Sequence, residues 1–209
     1  MNTKNENIQL LKNDLTSETF EEYSLCDLIA VDCEMMGLNP VRDRLCLVQM
    51  CNEKEKVTLV KIEPDKKAPN LKNLFENPEI KKIFHFGRTD LAFLYYRLGI
   101  DLKNIFCTKI ASRLTRTFTD KHGLKDLVKE FFNVNLDKNT QTTDWGHDEL
   151  TNDQIKYAAK DVTFLIPLYR KFLELLKREH RMELAEKANG FLPTLAKLDL
   201  LGYQDFFAH

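Results

Sequence analysis

Apolar residues in the first half of the chain fall in short, β-branched-rich runs of the kind that form strands: Leu28–Glu34, Leu45–Cys51 and Val57–Ile62. The turn-rich stretches Gly37–Asp43 and Asn52–Lys56 between them are short enough for a meander. A fourth strand is predicted at Lys82–Phe86 and a short fifth at Ile105–Cys107. Helical patterns are predicted at Asn70–Phe75, Asp90–Leu98 and Thr108–Leu114, and from about Gly123 onward the chain reads as helix. At Thr151 the run T-N-D-Q is a capping box, a hydroxyl N-cap with Gln154 three residues later. Behind it Ile155, Ala158, Val162, Leu165, Tyr169, Phe172 and Leu176 step by three and four, a helical stripe. Pro167 falls within that stripe and should kink or divide the helix. Strands first, then strands alternating with helices, then helices, predict an α/β fold with a five-stranded mixed sheet flanked by α-helices.

The chain has 209 residues, 43% hydrophobic and 10% aromatic, enough to bury a sizeable core in one domain. Seven glycines and six prolines leave no room for a long flexible linker. We read residues 1–209 as a single domain, with a core over about 20–178 and an apolar helical extension over about 179–209. That extension carries Phe191, Leu192, Leu195, Leu198, Leu200, Leu201, Tyr203, Phe206 and Phe207, which either close the domain's own core or bury themselves in a neighbouring subunit. With 31 basic and 32 acidic side chains, a generally basic nucleic-acid coat is excluded and only a local basic patch remains open. The five cysteines are odd in number, form no C-x-x-C pair and mostly sit in apolar runs, as free core thiols do. The polar N-terminus lacks the apolar core of a signal peptide, and no run approaches the about 20 apolar residues of a membrane span. The expectation is a cytoplasmic protein without a membrane partner.

Three short segments hold the acids and phenol that bear on chemistry. Asp32 and Glu34 lie two apart in an otherwise apolar strand, so both carboxylates project from one face. Side-by-side burial of two like charges is costly unless a cation pairs with them, although solvated acids at a strand end would look the same. Asp90 follows Phe84-His85-Phe86-Gly87-Arg88-Thr89 where a strand passes into a helix, a place equally suited to a capping acid. Tyr157 and Asp161, four apart on the capped helix, share a face distinct from the apolar stripe.

Taken in order, Asp32, Glu34, Asp90 and Asp161 with Tyr157 resemble the DEDD exonuclease signature in its tyrosine variant. The segments Cys107–Leu127, Thr143–Trp145 and Tyr157–Asp161 extend the likeness to the ribonuclease D branch, nearest its short alphaproteobacterial nano-RNase C type. The resemblance implies a ribonuclease H-like (DnaQ-like exonuclease) fold and a metal-dependent 3′→5′ exonuclease. It would hydrolyse very short RNAs, above all dinucleotides, to nucleoside 5′-monophosphates. It also implies two divalent ions, Mg²⁺ or Mn²⁺, held by the four acids: Asp32, Glu34 and Asp161 at the water side, with Asp90 reaching the second ion. Tyr157 would orient or deprotonate the attacking water. Ring-like octamers in the family make a homo-oligomer the expected assembly. The strand motif reads VDCEMMG where ribonuclease D has VDTE, which alters neighbours and spares the acids. Full-length ribonuclease D also carries helical nucleic-acid-binding domains after the nuclease, for which this sequence has no length, so long structured RNA is a poorer expected substrate.

Substrate contacts implied by the resemblance are Leu38, which would wedge between two bases or simply fold back on the core, and His85 and Phe86, which would meet the terminal nucleotide. Lys109, Arg113, Arg116, Lys121, His122 and Lys125 form the densest basic stretch, either a solvated helix face or a holder of phosphates. Within and beyond it Lys109, Ser112 and Gln141 are the candidates for phosphate contact, and Trp145 is read as core. Two rival functions share these residues: a broader exonuclease on longer RNA or DNA, and an inactive nucleic-acid-binding module.

Overall fold

In the computed structural model residues 7–136, 143–203 and 206 are described. Six strands form one mixed sheet: β1 (Ile8–Lys12), β2 (Leu28–Met35), β3 (Leu45–Asn52), β4 (Val57–Lys61), β5 (Lys81–Phe84) and β6 (Ile105–Cys107), in the spatial order β1-β4-β3-β2-β5-β6. Only β3 runs against its neighbours, pairing antiparallel with β2 and β4; the β1–β4, β2–β5 and β5–β6 pairs are parallel. The helices are α1 (Ser17–Ser24), α2 (Pro69–Glu76), α3 (Arg88–Leu98), α4 (Thr108–Thr115), α5 (Leu124–Phe132), α6 (Asn152–Thr163), α7 (Leu165–Arg178) and α8 (Met182–Leu200).

The predicted count of five strands is corrected to six. The addition is β1, an edge strand that lies before residue 20 and pairs with β4 from Ile8↔Val57 to Lys12↔Lys61. Backbone bonding holds it, continued by Asn13 N–H on the Lys61 carbonyl at 2.6 Å, and its half-exposed side chains carry no clear alternation. Strand β5 also stops at Phe84, two residues short of the predicted end, because Phe86 takes a left-handed backbone (φ 63°) that a ladder does not accept.

Layers on both faces bury β3 and β4 throughout, which is why they read as continuous apolar runs. Along β2 the side chains alternate. Ile29, Val31 and Cys33 join one core with Leu71 and Phe75 of α2, Phe93 of α3 and Leu192 and Ala196 of α8. Ala30 joins the other, with Leu127 of α5, Ala158 and Val162 of α6 and Leu168 and Phe172 of α7. Asp32 and Glu34 continue the Ala30 side, so the period of the strand aims both carboxylates at α6.

Pro167 divides the long helical stripe: α6 ends at Thr163, α7 begins at Leu165, and the proline sits in the first turn of α7, where its missing N–H costs nothing. Of the C-terminal apolar residues, Leu192, Leu195 and Leu200 pack on the domain's own core, whereas Leu201, Tyr203 and Phe206 are exposed. Phe207 lies outside the described residues. All five cysteines are free, four of them buried. Among the described residues no helix is long and apolar enough to cross a membrane.

Candidate active site

Strand β2 and helix α6 meet at three acids. Ligand oxygens of Asp32, Glu34 and Asp161 all lie within 4.8 Å of one another. The pairing of β2 with β3 is disturbed by a bulge immediately after Glu34, a device that re-aims side chains beside sites. On α6 the capping box fixes the first turn: Thr151 Oγ1 accepts from Gln154 N–H, and the Gln154 side chain reaches back to Thr151 N–H at 2.9 Å. Gln154 also donates to the Asp144 carbonyl at 3.0 Å, anchoring the segment that carries Trp145. Trp145 is buried, as the sequence predicts, and its ring lies 6.1 Å from that of Tyr157. Tyr157 and Asp161 stand one turn apart on α6, close enough for the carboxylate to act on the phenol.

Asp90 enters from the first turn of α3 and is buried. It stands outside the trio but belongs to the same electrostatic cluster. Asp90 is the strongest charged influence on Asp32. The turn before α3 is tightly packed: a Cβ at Gly87 would fall 2.7 Å from Cβ of Phe84, so only glycine fits there.

Burial dominates the protonation of all four acids. It pushes Asp32 well above the usual carboxylate range, with Asp90, Glu34 and Asp161 adding repulsion. Burial followed by Asp161 and Asp90 raises Glu34 to about 9, Asp90 goes to about 7 and Asp161 to about 6. Tyr157 is likewise raised above its ordinary value by burial and then by Asp161, so it is a neutral phenol near pH 7. Cations would reverse these shifts by neutralising the like charges.

Gln49 on β3 is a further member that the sequence reading missed. It pairs across the sheet with Asp32, is fully buried, and its Nε2 lies 3.5 Å from Glu34. Its Oε1 is buried with no hydrogen-bond partner. An amide in the middle of an all-apolar strand was the available signal. An orphaned carbonyl oxygen beside three converging carboxylates is a donor set of oxygens alone, which fits Mg²⁺ or Mn²⁺.

A cavity of about 270 Å³ opens beside the acids, lined by Asp32, Tyr157 and Asp161 and by His85, Phe86 and Lys109. Gly123, Leu124 and Lys125, at the N-terminus of α5, line it too. Phe86 is exposed and strained, and Lys109 Nζ sits 3.5 Å above its ring centre. Burial, followed by the nearby Lys109, pushes His85 down to about 3, so its imidazole is neutral. Leu38, 84% exposed, lines a neighbouring cavity of about 640 Å³ that shares Phe86 with the first. Ser112 is not brought to either lining: it is fully buried on α4, bonded to His122 Nδ1 at 2.8 Å and Arg116 at 3.0 Å. Gln141 lies outside the described residues.

Residues 8–177 match the family model described as 3′-5′ exonuclease. The chain is 44% identical to Brucella melitensis NrnC, covering 97% of this chain and 99% of that one with a TM-score of 0.92. Structures of that protein include one with bound Mg²⁺ and one bound to pGG. A ribonuclease D of Sphingobium indicum is 36% identical over 73% of this chain, which spans only 39% of that relative's length. Escherichia coli RNase D shares the fold at a TM-score of 0.79 and 25% identity, over 91% of this chain and 51% of that one. With the four acids and the tyrosine assembled on a ribonuclease H-like sheet, and that model matched along most of its length, the chain belongs to the 3′-5′ exonuclease family.

Proposed function

We propose that the protein is a metal-dependent 3′→5′ exoribonuclease that hydrolyses very short RNAs, especially dinucleotides, to nucleoside 5′-monophosphates. The observation that carries this reading is the convergence of Asp32, Glu34 and Asp161 within 4.8 Å beside a small, positively flanked cavity. Likeness to NrnC, a structure of which holds pGG, supports the short substrate.

Asp32, Glu34 and Asp161 would hold one divalent ion, and Asp90 would reach a second. Bound divalent ions supply neutralisation of phosphate charge and acidification of water. The remaining work falls to this chain's own side chains. Tyr157, a neutral phenol beside Asp161, orients the attacking water by hydrogen bonding rather than by taking its proton. Lys109 and Lys125 flank the cavity as counter-charges for phosphate oxygens. Phe86 offers a ring face for base stacking and Leu38 an exposed apolar edge that separates two bases. The exposed Leu201, Tyr203 and Phe206 provide an apolar surface suited to a second copy in a homo-oligomer.

A broader exonuclease acting on longer RNA or DNA would use the same catalytic residues. The larger cavity shared through Phe86 is the observation that favours it, since additional nucleotides could lie there. A time course with 5′-labelled RNAs of two, three, five and seven nucleotides, in Mg²⁺ and then Mn²⁺, separates the readings. A preference for the dinucleotide by orders of magnitude is expected, and comparable rates at every length would favour the broader enzyme. In the same assay Asp161→Ala should lose roughly a thousandfold or more, the several kcal/mol that metal-ion charge stabilisation supplies. Absence of metal-dependent cleavage at every length would leave a binding module.

A further inference from the structure

His85 is set by a hydrogen-bond relay that fixes which of its two nitrogens faces the substrate. Parallel pairing of β5 with β6 places Phe84 opposite Cys107, bringing Thr108, the first residue of α4, against the end of β5. Thr108 is fully buried, and its Oγ1 lies 3.2 Å from the Phe84 carbonyl and 2.9 Å from His85 Nδ1. A threonine hydroxyl has one proton to give. The carbonyl can only accept, so both contacts are hydrogen bonds only when the hydroxyl donates to Phe84 and accepts from Nδ1. An unprotonated Nδ1 would compete with the carbonyl for that one proton and leave one of the two contacts unmade, so the Nδ1–H form is the one that satisfies all three groups. No water reaches Thr108 to exchange these roles.

We infer that Thr108 holds His85 as the Nδ1–H tautomer, so that Nε2 faces the substrate cavity as an acceptor and binds a ribose hydroxyl of the RNA. The inference rests on the nuclease reading for the identity of the ligand, but not for the tautomer. An acceptor nitrogen repels phosphate oxygens, which have no proton to share, and therefore complements Lys109 and Lys125 in the same cavity. Base N–H groups differ among the four nucleotides. The ribose hydroxyls are common to all of them and lie nearest the phosphodiester that the acids address. Thr108 is on this account a positioning residue, acting on substrate only through His85, and the pair would discriminate ribonucleotides from analogues that lack the hydroxyl.

The tautomer is read directly by long-range proton–nitrogen correlation spectra of ¹⁵N-histidine-labelled, metal-free protein. In the wild type Nδ1 is expected to bear the proton; in Thr108→Val it moves to Nε2, and Thr108→Ser returns it to Nδ1. Parallel kinetics compare a dinucleotide with analogues lacking the 2′-hydroxyl of either residue or the terminal 3′-hydroxyl. Thr108→Val should lower the rate on the all-ribose dinucleotide about tenfold, the worth of one substrate hydrogen bond, and leave one analogue unaffected. Thr108→Ser should restore the difference. A proton on Nε2 in the wild type overturns the inference and leaves the nuclease reading untouched. Equal losses on the ribose dinucleotide and every analogue also overturn it, since they mean a merely structural threonine. A wild type with the expected tautomer that hydrolyses none of the substrates overturns the nuclease reading instead. If Thr108→Val does not fold, the wild-type spectrum and its agreement with Thr108→Ser still decide the tautomer.

Discussion

Glu34 has an uncomfortable position for a charged group. It is 8% exposed, faces two further acids, and has one weak amide donor in Gln49. In the metal-free protein an ionised carboxylate there is opposed by both desolvation and repulsion. At pH 8 the folded metal-free chain keeps Glu34 protonated while the unfolded chain has released that proton, so Glu34→Gln removes the cost at nearly constant volume and should raise the melting temperature by roughly 2–4 °C per kcal/mol relieved. It should also reduce the stabilisation that Mn²⁺ gives. Calorimetry with and without the ion measures both, and a variant that melts lower than the wild type would contradict the charge argument. Asp32, Glu34 and Tyr157 were legible because strand and helix periods dictate which side chains share a face. Gln49 was not, because its position opposite Asp32 depends on the register of β2 against β3.

Helix α6 is aimed by its ends. Its reciprocal cap, Thr151 with Gln154, sets the first turn, and Gln154 continues to Thr143 and Asp144. Thr151→Ala should cost about 1 kcal/mol, hence a fall of about 2–4 °C in melting temperature, through the lost cap. Because Tyr157 and Asp161 stand one and two turns further on, the same variant should lose activity before it loses fold, which a comparison of rate and melting curve at one temperature will reveal. The capping box was readable in the sequence because it needs only residues three apart. The end of β5 was not: His85 and Phe86 leave the strand for a strained turn whose closeness to Phe84 only Gly87 permits.

Across the molecule the four acids, taken together, tie stability to pH. Each has a folded pKa above that of an ordinary carboxylate, so over the window from about 4 upward the native state keeps protons that the unfolded chain has released, and stability falls as pH rises. His85, lowered to about 3, works in the opposite sense up to its ordinary value, and buried Lys82, lowered to about 7, does so above that. His122, also lowered, adds to the histidine side, but the four acids, with Asp32 and Glu34 raised furthest, fix the sign between pH 5.5 and 7: the metal-free protein should melt at a lower temperature at pH 7 than at pH 5.5. Mn²⁺ should raise the melting temperature more at pH 7, because an ion that binds the deprotonated site adds native-state stability. A flat metal-free profile would mean that the acids are not buried together in solution.

Local spacing sufficed for most of the strands, the capped helix, the shared face of Asp32 and Glu34, and that of Tyr157 and Asp161. Each of these depends only on periods of two or 3.6 residues and on caps three residues apart. The sixth strand depended on backbone pairing between segments some fifty residues apart, which leaves little trace in side-chain pattern. The same holds for the convergence of β2, α4, α5 and α6 on one cavity, the fully buried place of Ser112 and the relay from Phe84 through Thr108 to His85. A chain of hydrophobic and polar positions states which side of an element is to be buried; which other element covers it, and which lone pair is left facing the substrate, follows only once the layers have packed.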